Sequence, residues 1–139
     1  MQPLEFPDVR SLTILLVDDN EDALEVLGAF LGSCGASVLQ ARTAFDALAY
    51  IDTHPHIDVM ITDLSMPGMD GFELVRRLRR HPSRSAMPAI ALTGFPESYM
   101  DRADFTAFLL KPTSFDDLCK TITSVVGQSC PGSEMPRAC

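Results

Sequence analysis

Five side chains of complementary chemistry stand where apolar runs of this sequence stop. Asp18 and Asp19 follow the run 12–17, Asp63 follows 57–62, Thr93 follows 89–92 and Lys111 follows 106–110. A carboxylate can act as a nucleophile and form an aspartyl phosphate. A phosphoryl group in transfer needs cations and hydrogen-bond donors for its oxygens. Carboxylates about 4 Å apart repel by roughly 4 kcal/mol at an effective dielectric near 20. One ammonium, Lys111, does not balance three of them. A hard divalent cation with oxygen ligands does, and magnesium keeps waters while binding one or two carboxylates and phosphate oxygens. These residues form a site only if the fold gathers them.

The elements between them supply that fold. Residues 12–17 read as a strand buried on both faces. Asn20 reads as the cap of the helix that follows, with Glu21 and Asp22 suited to its positive end. Leu24, Leu27, Leu31 and Cys34 carry its apolar stripe, and Gly32 and Gly35 end it. Residues 36–41 read as a second strand. Thr43 with Asp46 resembles a capping box before a helix marked by Ala44, Ala47, Leu48 and Ile51. Residues 57–62 form the third strand. A turn-rich stretch over 65–71 leads into a helix marked by Phe72, Leu74, Val75 and Leu78. Residues 89–92 and 106–110 are the fourth and fifth strands, with a weak helix over 96–104 between them. Ser114 with Asp117 caps the last helix, marked by Leu118, Ile122 and Val125, with Gly127 at its end.

Strand and helix alternate five times, which predicts a parallel sheet with helices on both faces. In such sheets, sites lie beyond the carboxyl ends of the strands. Asp18, Asp19, Asp63, Thr93 and Lys111 all fall there. Residues 1–10 read as a lead-in, 11–127 as one domain and 128–139 as a disordered tail.

Composition narrows the function. The chain has 139 residues, 46% of them apolar, enough for one domain with a real core. A net charge of −8 disfavours nucleic-acid binding. Cys34, Cys119, Cys130 and Cys139 form no metal-ligand spacing, and a reducing cytoplasm suits them. The first residues do not read as a signal peptide, and no apolar run is long enough to span a bilayer. Arg76, Arg77, Arg79, Arg80 and Arg84 read as a solvated helix face.

The motifs Val17-Asp18-Asp19-Asn20, Asp63-Leu64-Ser65-Met66-Pro67-Gly68-Met69-Asp70-Gly71, Ala91-Leu92-Thr93-Gly94 and Lys111-Pro112 resemble the response-regulator receiver family of two-component systems, of the chemotaxis-regulator kind. The resemblance covers residues 11–127. It implies a flavodoxin-like doubly wound sheet of order 2-1-3-4-5, an order for which the family is a standard example. It implies that Asp63 is the phosphoacceptor and that Asp18, Asp19, Asp63 and the Ser65 backbone carbonyl hold Mg2+. It implies that Thr93 hydrogen-bonds the phosphoryl group, that Lys111 pairs with it and that Lys111-Pro112 is a cis peptide. Phe108 falls where the family places a switching aromatic, although an aromatic there also reads as ordinary core. The resemblance also implies that Ser65 and Gly94 occupy positions that tune phosphoryl lifetime, although both also read as plain turn residues. A sensor histidine kinase or phosphotransfer protein would be the donor, and a downstream protein the target.

The segment from Thr93 to Lys111 is shorter than the family's, Pro96 interrupts it, and Asp104 replaces a glycine. A short or irregular fourth helix is therefore the expectation. The rival reading is a Mg2+-dependent phosphatase that works through an aspartyl phosphate. Such enzymes place an acidic proton donor two residues after the nucleophile, where this chain has Ser65. A dinucleotide-binding module lacks its glycine signature.

Overall fold

The computed structural model describes residues 9–94, 104–111 and 113–128. In chain order the elements are β1 (Thr13–Val17), α1 (Glu21–Ser33), β2 (Ser37–Ala41), α2 (Ala44–Thr53), β3 (Val59–Asp63), α3 (Gly71–Arg79), β4 (Ala89–Thr93), β5 (Ala107–Leu110) and α4 (Phe115–Gln128). The five strands form one sheet in the order β2-β1-β3-β4-β5, and every pairing is parallel. This is the flavodoxin-like arrangement expected from the sequence.

Burial on both sides explains the apolar strands. Ile14, Leu15, Leu16 and Val17 are at most 2% exposed. Their alternate side chains enter two separate core layers. Leu15, Val17, Met60, Ala89 and Ala91 pack with Ala47 and Ile51 of α2 and Leu74, Val75 and Leu78 of α3. Ile14, Leu16, Val59, Ile61, Ile90 and Leu92 pack with Leu24 and Leu31 of α1 and Leu118, Ile122 and Val125 of α4. The period of two in a strand sends neighbouring residues to opposite layers.

Each helix starts on a side-chain cap. The side chains of Asn20, Thr43, Asp70 and Ser114 accept hydrogen bonds from the backbone N–H of Ala23, Asp46, Glu73 and Asp117. Three of these caps were legible from the pattern, while Asp70 was hidden within a turn-rich stretch. α1 ends in a Schellman motif: Gly35 N–H donates to the Gly32 carbonyl and Ala36 N–H to the Leu31 carbonyl. Gly35 has φ +96°, which suits glycine, whereas Gly32 belongs to the helix itself. Gly127 also lies inside its helix, because α4 runs to Gln128.

The arginine-rich segment departs from a solvated face. Arg76 and Arg77 pair with Glu73. Arg79 reaches inward and donates to the carbonyls of Asp104, Ser85 and Met87. Arg84 donates to the His54 carbonyl. These guanidiniums satisfy loop carbonyls that helix and strand ladders leave over. Cys119 is buried, whereas Cys34 is half-buried at the C-cap of α1. Most of the lead-in, the helix expected over 96–104 (all but Asp104), the Lys111-Pro112 bond, the tail beyond 128 and Cys130 and Cys139 lie outside the described residues.

Gly71 brings α3 against the end of β3. Its N–H donates to the Leu64 carbonyl at 2.9 Å. A Cβ at Gly71 would lie 2.5 Å from the Asp63 carbonyl oxygen and 2.9 Å from Leu64 Cα, both of them backbone atoms. A Cβ at Gly94 would meet nothing within 4 Å. Gly71→Ala should therefore cost about 1–3 kcal/mol by overpacking, whereas Gly94→Ala should stay within about 0.5 kcal/mol. Urea denaturation of both variants checks this, and equal effects would contradict it.

Candidate functional site

Strand register decides which side chains meet. Val17 pairs with Thr62, Thr62 with Ala91 and Ala91 with Phe108, so four strands share one rung. The chain leaves the sheet just beyond that rung. Asp18 and Asp19 follow β1, Asp63 and Thr93 end β3 and β4, and Lys111 follows β5. Lys111 N–H donates to the Thr93 carbonyl at 2.8 Å, which extends the β4–β5 ladder by one residue. The five residues singled out from the sequence thus reach one rim.

Carboxylate oxygens of Asp18, Asp19 and Asp63 lie within 4.8 Å of one another. Lys111 Nζ stands 3.5 Å from Asp18 Oδ2 and 3.5 Å from Asp63 Oδ2. Asp18 is buried, Asp63 half-buried and Asp19 exposed. Asn20 N–H donates to Asp18 Oδ1 at 3.0 Å, and Ser65 N–H donates to Asp63 Oδ1 at 3.4 Å. Asp63, Ser65, Thr93, Gly94 and Lys111 line a cleft of about 480 Å3, together with Met66, Asp70 and Phe72.

Burial pushes the Asp18 carboxyl above its ordinary range. The Asn20 N–H and the Lys111 charge pull it back, while the Asp63 charge adds to the rise. Two carboxylates at this separation repel by about 3–4 kcal/mol at an effective dielectric near 20, before solvent screening. Lys111 offsets part of this. Three carboxylates and one ammonium still sum to two negative charges, which oppose any anion entering the cleft. Three hard oxygen donors from three aspartates, beside an open cleft, fit a magnesium ion that keeps several waters. They do not fit a soft metal, which would seek thiolates or imidazoles.

Residues 14–123 match the family described as the response regulator receiver domain. The chain belongs to that family. It is 32% identical over 117 residues to protein PilH of Pseudomonas aeruginosa, covering 81% of this chain and 96% of that one. It is 34% identical over 119 residues to an uncharacterised 14.6 kDa protein of Leptolyngbya boryana, covering 82% and 89%. A response regulator receiver protein from Pseudomonas putida superposes with a TM-score of 0.75 at 30% identity, covering 82% and 97%. Other relatives are far longer, and the chain spans 19% of a sensor histidine kinase from Burkholderia thailandensis. It is a receiver domain of two-component signal transduction, a class that binds Mg2+ through acidic residues and works with histidine kinases or phosphotransfer proteins. The phosphatase alternative finds no support. Among the described residues no helix is long and apolar enough to cross a membrane.

Sequence reasoning passed over part of this receiver's cleft. Met66, Asp70 and Phe72 line it; Met66 and Asp70 lie in the turn-rich stretch after Asp63, and Phe72 had been read only as part of a helix's apolar face. Phe108 is half-buried, packs against the core layer of α2 and α3, and touches Phe105. Phe105, 8% exposed, had not been singled out at all.

Because the folded-state value of Asp18 is raised, its contribution to stability is fully present below the ordinary carboxylate range. That contribution is lost as pH rises through the raised value. Without divalent cations, Asp18→Asn should therefore stabilise the domain near neutral pH. The gain should shrink toward about pH 3, where both side chains are neutral. Thermal melts across pH in chelator test this, and destabilisation at neutral pH would contradict it.

Proposed function

We propose that Asp63 accepts a phosphoryl group from a phosphohistidine on a sensor histidine kinase or a phosphotransfer protein. The observation that carries this is Lys111 Nζ at 3.5 Å from both Asp18 and Asp63, at the rim where Thr93 also opens into the cleft. An Asp63 oxygen attacks phosphorus, the P–O bond forms as the P–N bond breaks, and the imidazole leaves with the electron pair. Asp63 is half-buried, which leaves it open to a protein-borne donor. The Lys111 ammonium moves from its carboxylate partners toward a phosphoryl oxygen, and the Thr93 hydroxyl donates to another. Asp18, Asp19, Asp63 and the Ser65 carbonyl would hold a magnesium ion. Bound there, it would supply the positive charge that the carboxylates and the phosphoryl oxygens need.

Phosphorylation adds negative charge and strong acceptors at Asp63. Thr93 moves toward them and Phe108 takes up the space that it leaves. A swing from about 1:99 to 99:1 needs roughly 5.5 kcal/mol of differential interaction. Charge-assisted hydrogen bonds from Lys111 and Thr93 are of the right strength to supply much of it. The surface of β4, β5 and α4 then presents a different face to a downstream protein. The product is a changed state of the domain itself, so the chain acts as a switch rather than as an enzyme. The working unit spans residues 11–127 and operates in the cytoplasm.

Incubation with acetyl phosphate and Mg2+, read by intact mass, tests the assignment. One added phosphoryl group raises the mass by about 80 Da. The gain should vanish in Asp63→Asn and when Mg2+ is chelated, and should fall sharply in Lys111→Ala. A gain that persists in Asp63→Asn would place the acceptor elsewhere.

A further inference from the structure

Three aromatic rings run from the wall of the cleft into the sheet. Phe72, in the first turn of α3, lines the cleft with Asp63 and Thr93. Its ring meets Phe105 edge-on, with centroids 5.8 Å apart and planes at 83°. Phe105 in turn meets Phe108 with centroids 5.1 Å apart and planes at 62°. Edge-to-face contacts of this kind are directional, because a positive ring edge meets a negative ring face.

The space for these rings comes from β4. Phe108 stands opposite Ala91, and Ala89 and Ala91 are wholly buried in the same core layer as Phe105. Methyl side chains there leave the volume that the phenyl rings fill. Thr93 lies two residues beyond Ala91 on the same strand, so the pleat sends both to one face. Phe105 is 8% exposed within this layer, whereas Phe72 and Phe108 are half-buried on either side of it. A closely packed interior responds to displacement by switching between discrete arrangements. A movement of either outer ring therefore falls on Phe105.

We propose that Phe105 is a positioning residue that holds Phe108 in its resting place and ties it to the cleft wall through Phe72. Occupancy of the cleft then reaches β5 by ring contact as well as through Thr93. This rests on the phosphoacceptor reading of Asp63. It assigns a role to a residue that touches neither the phosphoryl group nor any charged group of the site.

The test places a fluorinated phenylalanine at position 108 and follows its fluorine NMR resonance before and after acetyl phosphate with Mg2+, with intact mass on the same samples. Phe105→Leu keeps apolar bulk and removes the ring, so folding is spared. In the parent, the resonance should move on phosphorylation. In Phe105→Leu the resting resonance should already lie between the two parent positions, and the phosphorylation-dependent move should fall by about half or more as the resting population shifts. The mass gain should remain. In Phe72→Leu the resonance should likewise move less per phosphorylated molecule, and Phe30→Leu, in the opposite core layer, should leave the parent response intact. A parent-like response in Phe105→Leu, with the mass gain present, would overturn the proposal alone. An equal loss in Phe30→Leu would reduce the effect to general loosening and also overturn it. No mass gain in the parent would overturn the phosphoacceptor reading and this inference with it.

Discussion

Carboxylates repel, and yet Asp18, Asp19 and Asp63 are held with oxygens within 4.8 Å of one another. The backbone imposes this. β1 and β3 are adjacent parallel strands in fixed register, and both end at the same rim. Each strand is buried on both faces, so a slip would move apolar side chains between layers and expose the sheet's ends. Core packing therefore sustains an electrostatic conflict that the site could not sustain by itself. Lys111 relieves part of it from β5, and a divalent cation suits what remains. The proposed acceptance of a phosphoryl group on Asp63 draws on the same tension, because a cleft that draws cations can neutralise the oxygens of an incoming group.

The position of α3 is the second constraint. Gly71 lets the helix begin directly against the carbonyl of Asp63, with Asp70 as its cap. The loop of residues 64–70 is thereby short and anchored at both ends. It delivers Ser65 N–H to Asp63 and lines the cleft with Met66 and Asp70. Arg79 does comparable work at the other end of α3, tying three loop carbonyls to the helix.

Much of the fold was legible in the sequence because its signals are local. Apolar runs of strand length, capping residues three positions before an acidic partner and an aspartate, threonine or lysine at the ends of β1, β3, β4 and β5 gave the order of elements and the members of the site. Where they failed, the deciding contact lies elsewhere in the chain. Val59 rather than Ile57 opens β3, because the Asp58 carboxylate takes the Thr13 N–H at 2.7 Å across 45 residues. Arg79 looked solvated because its carbonyl partners come from another loop and from the entry to β5. Phe105 showed no signal, since its importance comes from rings on α3 and β5 and from alanines on β4. Gly127 looked like a terminator because glycine often is one, yet α4 continues through it.

In the proposed function the strand ends form one cation-binding, phosphoryl-accepting rim. A magnesium titration followed by backbone amide NMR tests it most directly. Saturable shifts should concentrate at residues 18–20, 63–65 and 111 and be strongly weakened in Asp63→Asn. Small, unsaturated shifts spread over the acidic surface, unchanged in that variant, would contradict it.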